Sequence, residues 1–521
     1  MRLHRFVRRI ALAAGAAGVI GAALSGCGGG NGNSNNNNNN GGNNGSNNGG
    51  AFTTPGTTPF VNTNNSSRAA CAANTHASGR ARWTVLVYMN AASNLQPFSL
   101  VNIAQMASVG SDADVNIVVQ WKQTASSHFF SSVSVQSTPS FIGTRRYKLS
   151  KHSQADLNKI APPGIDSNLN LVGDTTVLDG DRLPDPPTNT VNDNGTLTSD
   201  MGDYHTLADF VKWGETNFPA DEVALVIWDH GSGALNVDNR AVSKDGRAML
   251  LTRAAAPAKQ VKRGLSQDTQ TGSQIATQEL PLAFANVPQK FDSLIIDCSL
   301  QGTTELAYDV RNSARTLVAS EESPPGRGYP YDTWLKFLES NPTVDPCGSG
   351  QNLINDDIAV YPSETDITQS LTDLSKMDTV ASTLNAFGGT LLKYTSTQAS
   401  LIQNARQSAQ FFEFIEFKDL YDFSDRIRTS SGAPSDLVTA AANMETSLYG
   451  SNGAVLAASH GAATDSSGFN EGRASGLSIF LPGPQTPSSV DSTVGFDPQW
   501  NQLGIAKVAP NWASFLQAQK Q

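Results

Sequence analysis

Two short apolar runs, Ala224-Leu-Val-Ile-Trp-Asp-His-Gly-Ser-Gly233 and Leu294-Ile-Ile-Asp-Cys-Ser-Leu-Gln-Gly302, limit what this chain can fold into. Each is too short for a helix and stops abruptly at polar, glycine-containing sequence. That pattern predicts strands buried on both faces, as in a parallel sheet. In open α/β sheets the chemistry collects in the crevice beyond the carboxyl ends of such strands. His230 leaves one strand end, and Asp297, Cys298 and Ser299 leave another. A histidine facing a thiol or hydroxyl is the minimum for nucleophilic catalysis, because the imidazole can take the nucleophile's proton. Taken singly, His230 reads as a turn histidine and Cys298 as a core thiol. Paired at two strand ends, they mark a candidate site.

The surrounding chain fits the same architecture. Trp83–Met89, Val115–Gln120 and Thr316–Ser320 are further apolar strands, and Leu100, Ile103 and Met106 recur at helical spacing between the first two. His205–Phe218, Ile275–Phe284 and Thr304–Asn312 read as helices. Strand–helix alternation predicts an α/β fold, a largely parallel sheet with helices on both faces. From about Asp366 to Tyr449 the pattern turns mainly helical, with two late strands near 454–459 and 476–481. The folded part divides into an α/β domain at 79–340 and a C-terminal subdomain at 341–521. Pro162–Thr198 reads as a surface excursion. Asn239–Gln274, which carries Lys244, Arg247, Arg253, Lys259, Lys262 and Arg263, reads as a basic linker.

The chain start sets the compartment. Arg2, Arg5, Arg8 and Arg9 precede an apolar stretch, Ile10–Leu24, that is too short to span a bilayer. This is a secretory signal covering 1–26. Its end, Leu24-Ser25-Gly26-Cys27, resembles a bacterial lipobox, which implies cleavage before Cys27 and lipidation of that residue. Several acyl chains would hold the protein on a membrane. No Asp follows Cys27, so the expected place is the cell envelope, at the outer membrane. Residues 27–78 begin as an almost unbroken run of Gly, Asn, Ser, Thr and Pro, which cannot bury enough apolar surface to order itself. Roughly 40 such residues form a tether with a span on the order of 35 Å. A net charge of -10 and the lack of basic runs argue against nucleic acid as a partner. Outside the cytoplasm a Cys71–Cys347 disulfide is possible.

At the motif level the chain resembles the clostripain family of cysteine peptidases (peptidase C11), which share the caspase-like fold. The matching pieces run in family order: Trp83–Met89, Arg146-Tyr147, Met201-Gly-Asp203, Leu207-Ala-Asp-Phe210, Pro219-Ala-Asp221 and Trp228–Gly233. Asp297–Gly302, Glu305-Leu-Ala307, Ser320-Glu-Glu322, Pro325-Gly326, Asp373–Lys376, Asp419–Phe423 and Gly476–Pro482 continue the series. The resemblance implies a caspase-like sheet and an endopeptidase acting on peptide or protein substrates after Arg or Lys. It places His230 as the catalytic histidine, the Gly231 N–H as an oxyanion donor, and Asp297 in the pocket for the basic side chain. Glu321 and Glu322, at the next strand end, could share that pocket or be solvated loop acids. Self-cleavage in the basic linker and use of calcium, for which 174–185 offers Asp-rich loops, are further family properties.

The nucleophile is where this sequence departs. The family pattern Asp-Ala-Cys-Leu-Met-Gly stands here as Asp-Cys-Ser-Leu-Gln-Gly. Aligned without a gap, Ser299 takes the nucleophile position and Cys298 the alanine position. Side chains alternate faces along a strand, so Cys298 is expected to point away from Asp297 and Ser299. A one-residue slip would bring Cys298 round instead. A serine needs a better-aligned base than a thiol does, so peptidase activity is expected to be weakened or lost. The other reading is a non-catalytic surface lipoprotein that binds peptides or a protein partner.

Overall fold

The structure, a computed structural model, describes residues 60–62, 64–124, 139–166, 171–191, 197–233, 264–364, 367–461, 471–482, 500 and 502–518. The signal, Cys27, most of the tether and most of the basic linker lie outside the described residues.

The apolar runs do become strands of one sheet. In chain order the strands are β1 (Phe60–Val61), β2 (Ala81–Ala91), β3 (Val115–Gln123), β4 (Gly143–Lys148) and β5 (Arg182–Leu183), then β6 (Thr190–Val191), β7 (Leu197–Thr198), β8 (Ala220–Trp228), β9 (Gly264–Asp268) and β10 (Ser273–Ala276). After them come β11 (Phe291–Asp297), β12 (Ala314–Ala319), β13 (Thr368–Asp373), β14 (Phe417–Asp419), β15 (Val455–His460) and β16 (Ser478–Phe480). Ten of them form a sheet of order β1-β15-β13-β12-β11-β8-β2-β3-β4-β5. Its centre, β12-β11-β8-β2-β3, is parallel, and both flanks are antiparallel. The whole is a mixed, mostly parallel sheet covered by helices.

Period-two alternation sorts the strand side chains into two cores. Leu225 and Ile227 of β8 join Leu294 and Ile296 of β11 on one face. Ala224, Val226 and Trp228 join Ile295 on the other. Burial on both faces is why these strands read as continuous apolar runs. The helix Tyr204–Asn217 packs on the first face through Leu207, Phe210 and Val211, and Asp203 caps its start by accepting from the His205 N–H. The helix Gln96–Val109 packs on the second through Leu100, Ile103 and Met106.

Three expectations shift. Ile275 and Ala276, expected to be helical, are strand β10, and the helix is cut to Leu280–Ala283. The two late strands separate: β15 extends the central sheet, whereas β16 pairs with β14. The helical C-terminal stretch therefore contributes two strands, β13 and β15, to the same sheet as the β8 and β11 ends. Among the described residues no helix is long and apolar enough to cross a membrane. Cys71 and Cys347 form a disulfide with a Cα–Cα distance of 5.0 Å.

Candidate functional site

The site is built from register. Asp297 of β11 pairs with Trp228 of β8, and the Asp229 N–H still donates to the Asp297 carbonyl (3.3 Å). The ladder ends at that pair, and beyond it the two chains meet at Gly231, which lies against the Ser299 carbonyl and the Cys298 Cβ. Partners in parallel strands point to the same face, so the faces are decided too. Asp297 lies on the Trp228 side, and Cys298 lies in the opposite core with Ile296.

Cys298 is fully buried and its thiol donates to the Ile227 carbonyl at 3.5 Å. Burial, then the negative charges of Asp229 and Asp297, push this thiol well above its ordinary pKa. A thiol kept protonated and enclosed is inert. Ser299, by contrast, is half-buried at the strand end. The chain then turns sharply: Leu300 adopts φ +62°, and its N–H donates to the Glu322 carbonyl (3.2 Å). A non-glycine residue in that region carries backbone strain, which clusters at functional sites.

His230 is half-buried, and its Nε2 lies 2.5 Å from Asn94 Oδ1. With the amide oxygen as acceptor, Nε2 carries the ring proton and Nδ1 is the basic nitrogen. Burial lowers the imidazole to about 4, so it is neutral at physiological pH and a weak base. Asp229 does not orient the ring; its Oδ1 accepts from Ser93 Oγ (3.3 Å). Asn94 went unnoticed in the sequence. The available signal was its place just beyond the end of β2, in the same row of strand ends.

Gly231 packs tightly between the strands. A Cβ there would fall 2.1 Å from the Ser299 carbonyl oxygen, 2.8 Å from Gln301 Nε2 and 3.0 Å from Cys298 Cβ. The hairpin β9–β10 lies against this edge: Gly231 bridges to Leu265, and the Ser232 N–H donates to the Gly264 carbonyl (3.1 Å). Fully buried Gln301 ties the two sides, its Nε2 donating to Gly264 O (3.1 Å) and Ser299 O (3.2 Å).

Asp297 sits on the far side of β11, 6% exposed. Its Oδ2 accepts from the Tyr331 hydroxyl (2.7 Å) and the Tyr329 N–H (3.3 Å). Burial raises this carboxyl to about 6, against the opposing effect of those two hydrogen bonds. Glu321 and Glu322 have other neighbours. Glu321 Oε2 accepts from the Gly476 N–H (2.6 Å) and the side chain faces Asp419, while Glu322 Oε1 accepts from the Ser323 N–H (2.7 Å). The structure thus brings Gly231, the residue after His230, against Ser299, with Cys298 in the core beneath and Asp297 on the other face of β11.

The Asp-rich stretch does not fit a calcium ion. Asp174 accepts from Thr176, Asp181 from Ser150 and His152, and Arg182 pairs with Asp185. Among the described residues no group of three or more His, Cys, Asp or Glu side chains is arranged to hold a metal ion.

Comparison with known proteins bears on the family and the fold. The sequence model of the clostripain family (peptidase C11) matches residues 87–517. Clostripain from Hathewaya histolytica is 24% identical over 466 residues, covering 80% of this chain and 78% of that protein. The fold is similar to an inactive zymogen C11 protease from Parabacteroides distasonis (TM-score 0.53, 15% identity, 83% of this chain and 99% of that one). It is also similar to a secreted C11 cysteine protease from Bacteroides thetaiotaomicron in complex with an irreversible peptide inhibitor (TM-score 0.51, 16% identity, 83% and 99%).

Proposed function

We propose that this chain, which belongs to the clostripain family, is an envelope lipoprotein that binds peptides through an Arg or Lys side chain and has a severely weakened hydrolytic step. What supports this reading is that the Ser299 turn meets the histidine loop at Gly231, while Cys298, the free thiol among the described residues, is buried in the opposite core. Attack by Ser299 requires its proton to pass to the imidazole as the Oγ–carbon bond forms. A base lowered to about 4 by burial is badly matched to a hydroxyl. Asn94 can orient the ring, but a neutral amide cannot stabilise an imidazolium as a carboxylate does. A thiol at position 299 would suffer less, because thiolate and imidazolium stabilise each other. In this reading the Gly231 N–H serves the developing oxyanion, which the close packing of Gly231 on the Ser299 turn supports. Asp297 supplies the carboxylate for the basic side chain.

The test is Ser299→Cys. It should gain cleavage of Arg- and Lys-containing peptides over wild type, and adding His230→Ala should remove the gain. If wild type is already an efficient peptidase, and thiol reagents and Cys298→Ala each abolish its activity, Cys298 is the nucleophile and the proposal fails. The lipobox motivates the location: wild type should partition with membranes, and Cys27→Ala should not. Recovery of lipid-free wild type in the soluble fraction would remove the anchor from the proposal.

A further inference from the structure

Asp297 is held unevenly. Both of its hydrogen bonds, from Tyr331 and Tyr329, reach Oδ2. Among the described residues Oδ1 accepts no hydrogen bond, and it is not sealed from solvent. No Lys or Arg among the described residues pairs with this carboxylate; the nearby Arg327 is spent on Asp166. Gly328 stands directly over the group, with φ +61°. A Cβ there would fall 2.5 Å from Oδ2 and 2.9 Å from Oδ1. A side chain at that point would collide with the carboxylate, so the position takes glycine.

The surroundings are fixed. Tyr361 donates to the Gly328 carbonyl (2.8 Å), and Asn102 donates to the Arg327 carbonyl (2.8 Å) while accepting from Trp228 Nε1 (2.9 Å). Tyr331 is fully buried at the start of the helix Tyr331–Ser340, its ring edge-on to Tyr329. Among these residues Asp297 Oδ1 is an anionic oxygen to which no described residue donates a hydrogen bond.

Building on the reading of Asp297 as the basic-side-chain pocket, we propose that Tyr331 is the positioning residue for selection: its hydroxyl anchors Oδ2, so that Oδ1 is left to accept from an entering guanidinium or ammonium group. The hydroxyl has a second effect. By donating to the carboxylate it favours the ionised form, against the burial that raises this acid to about 6. The other titratable groups facing Asp297 are Tyr329, Tyr361, Asp357 and Cys298, all raised well above their ordinary values by burial. Of these, Asp357 of the helix Pro346–Val360 is the other acid, and it is bound to Gln369 (2.9 Å). His230 titrates too low to enter the window between pH 5.5 and 8.5.

The experiment uses the full chain carrying Ser299→Ala, so that turnover does not intrude, and two fluorescent peptides that differ only in Arg against neutral citrulline. The preference for Arg should rise as pH passes upward through about 6. Tyr331→Phe, which keeps the packed ring, should weaken Arg binding roughly threefold at pH 6.5, move the midpoint upward and recover by pH 8.5, in line with a carboxyl shift of about one unit. Asp297→Asn should lose the preference at every pH. If Tyr331→Phe leaves affinity and pH profile unchanged while Asp297→Asn loses the preference, the pocket stands and the role of Tyr331 is refuted. Tighter Arg binding by Tyr331→Phe refutes it as well, since the hydroxyl would then be a competitor. If the parent shows no preference for Arg, the pocket reading fails first and this inference with it.

Discussion

Gly231 lies so close to Ser299 that a methyl group on its Cα would sit 2.1 Å from the Ser299 carbonyl oxygen. The two strand ends are pressed together where the histidine and the candidate nucleophile emerge. Gly231→Ala should therefore force the ends apart, costing about 1–3 kcal/mol as overpacking does. It should also abolish the cleavage gained by Ser299→Cys. Denaturant unfolding and a peptide-cleavage assay check both, and a variant equal to its parent in each would show that the contact is not needed.

Cys298 should behave as a core residue. In the native protein it should resist iodoacetamide and become reactive only on unfolding, because its thiol is enclosed and kept protonated. Cys298→Ala should cost about 1 kcal/mol and leave peptide binding unchanged. Mass spectrometry of the labelled peptide reads the outcome, and fast native labelling at Cys298 would contradict the assigned face.

The disulfide ties residues separated by 276 positions, joining the segment that enters the domain to the helix Pro346–Val360. Cross-linking so long a loop restricts the unfolded chain strongly. Replacing Cys71 and Cys347 together with serine should lower stability by about 3–5 kcal/mol. A chemical-denaturation midpoint that does not move would argue against this role.

Stability should decline from mildly acidic to mildly alkaline pH. Burial raises Glu305 to about 7, where its Oε1 accepts from the Phe480 N–H (2.9 Å) and Trp500 Nε1 (3.2 Å). The native state thus holds a proton that the unfolded chain releases near its ordinary value of 4.5. The group's contribution is complete below that value and is lost as pH rises through about 7. The loss is about 3 kcal/mol at order of magnitude. Asp419 (about 7) and Asp309 (about 6) act in the same direction. Melting temperatures at pH 5 and pH 8 should differ, and Glu305→Gln should narrow the gap. A gap that Glu305→Gln leaves intact would assign the slope to other groups.

The local sequence carried the strands, their ends and the residues leaving them. Apolar runs flanked by glycine are a short-range signal, and burial on both faces is what makes them apolar, so β8 and β11 were readable without knowing their neighbours. The resemblance to the clostripain pattern at Asp297–Gly302 made Ser299 the expected nucleophile position when aligned without a gap. Packing had to decide the rest. Asn94 reaches His230 across 136 positions and Tyr331 reaches Asp297 across 34, and neither spacing has a period that a sequence can display. The short extent of the 280–283 helix and the recruitment of β13 and β15 into the central sheet were hidden for the same reason. Secondary structure follows from alternation within a few residues. Which hydrogen-bond partner meets a buried carboxylate or imidazole follows from how distant segments close over it, and that is settled only when the chain is packed.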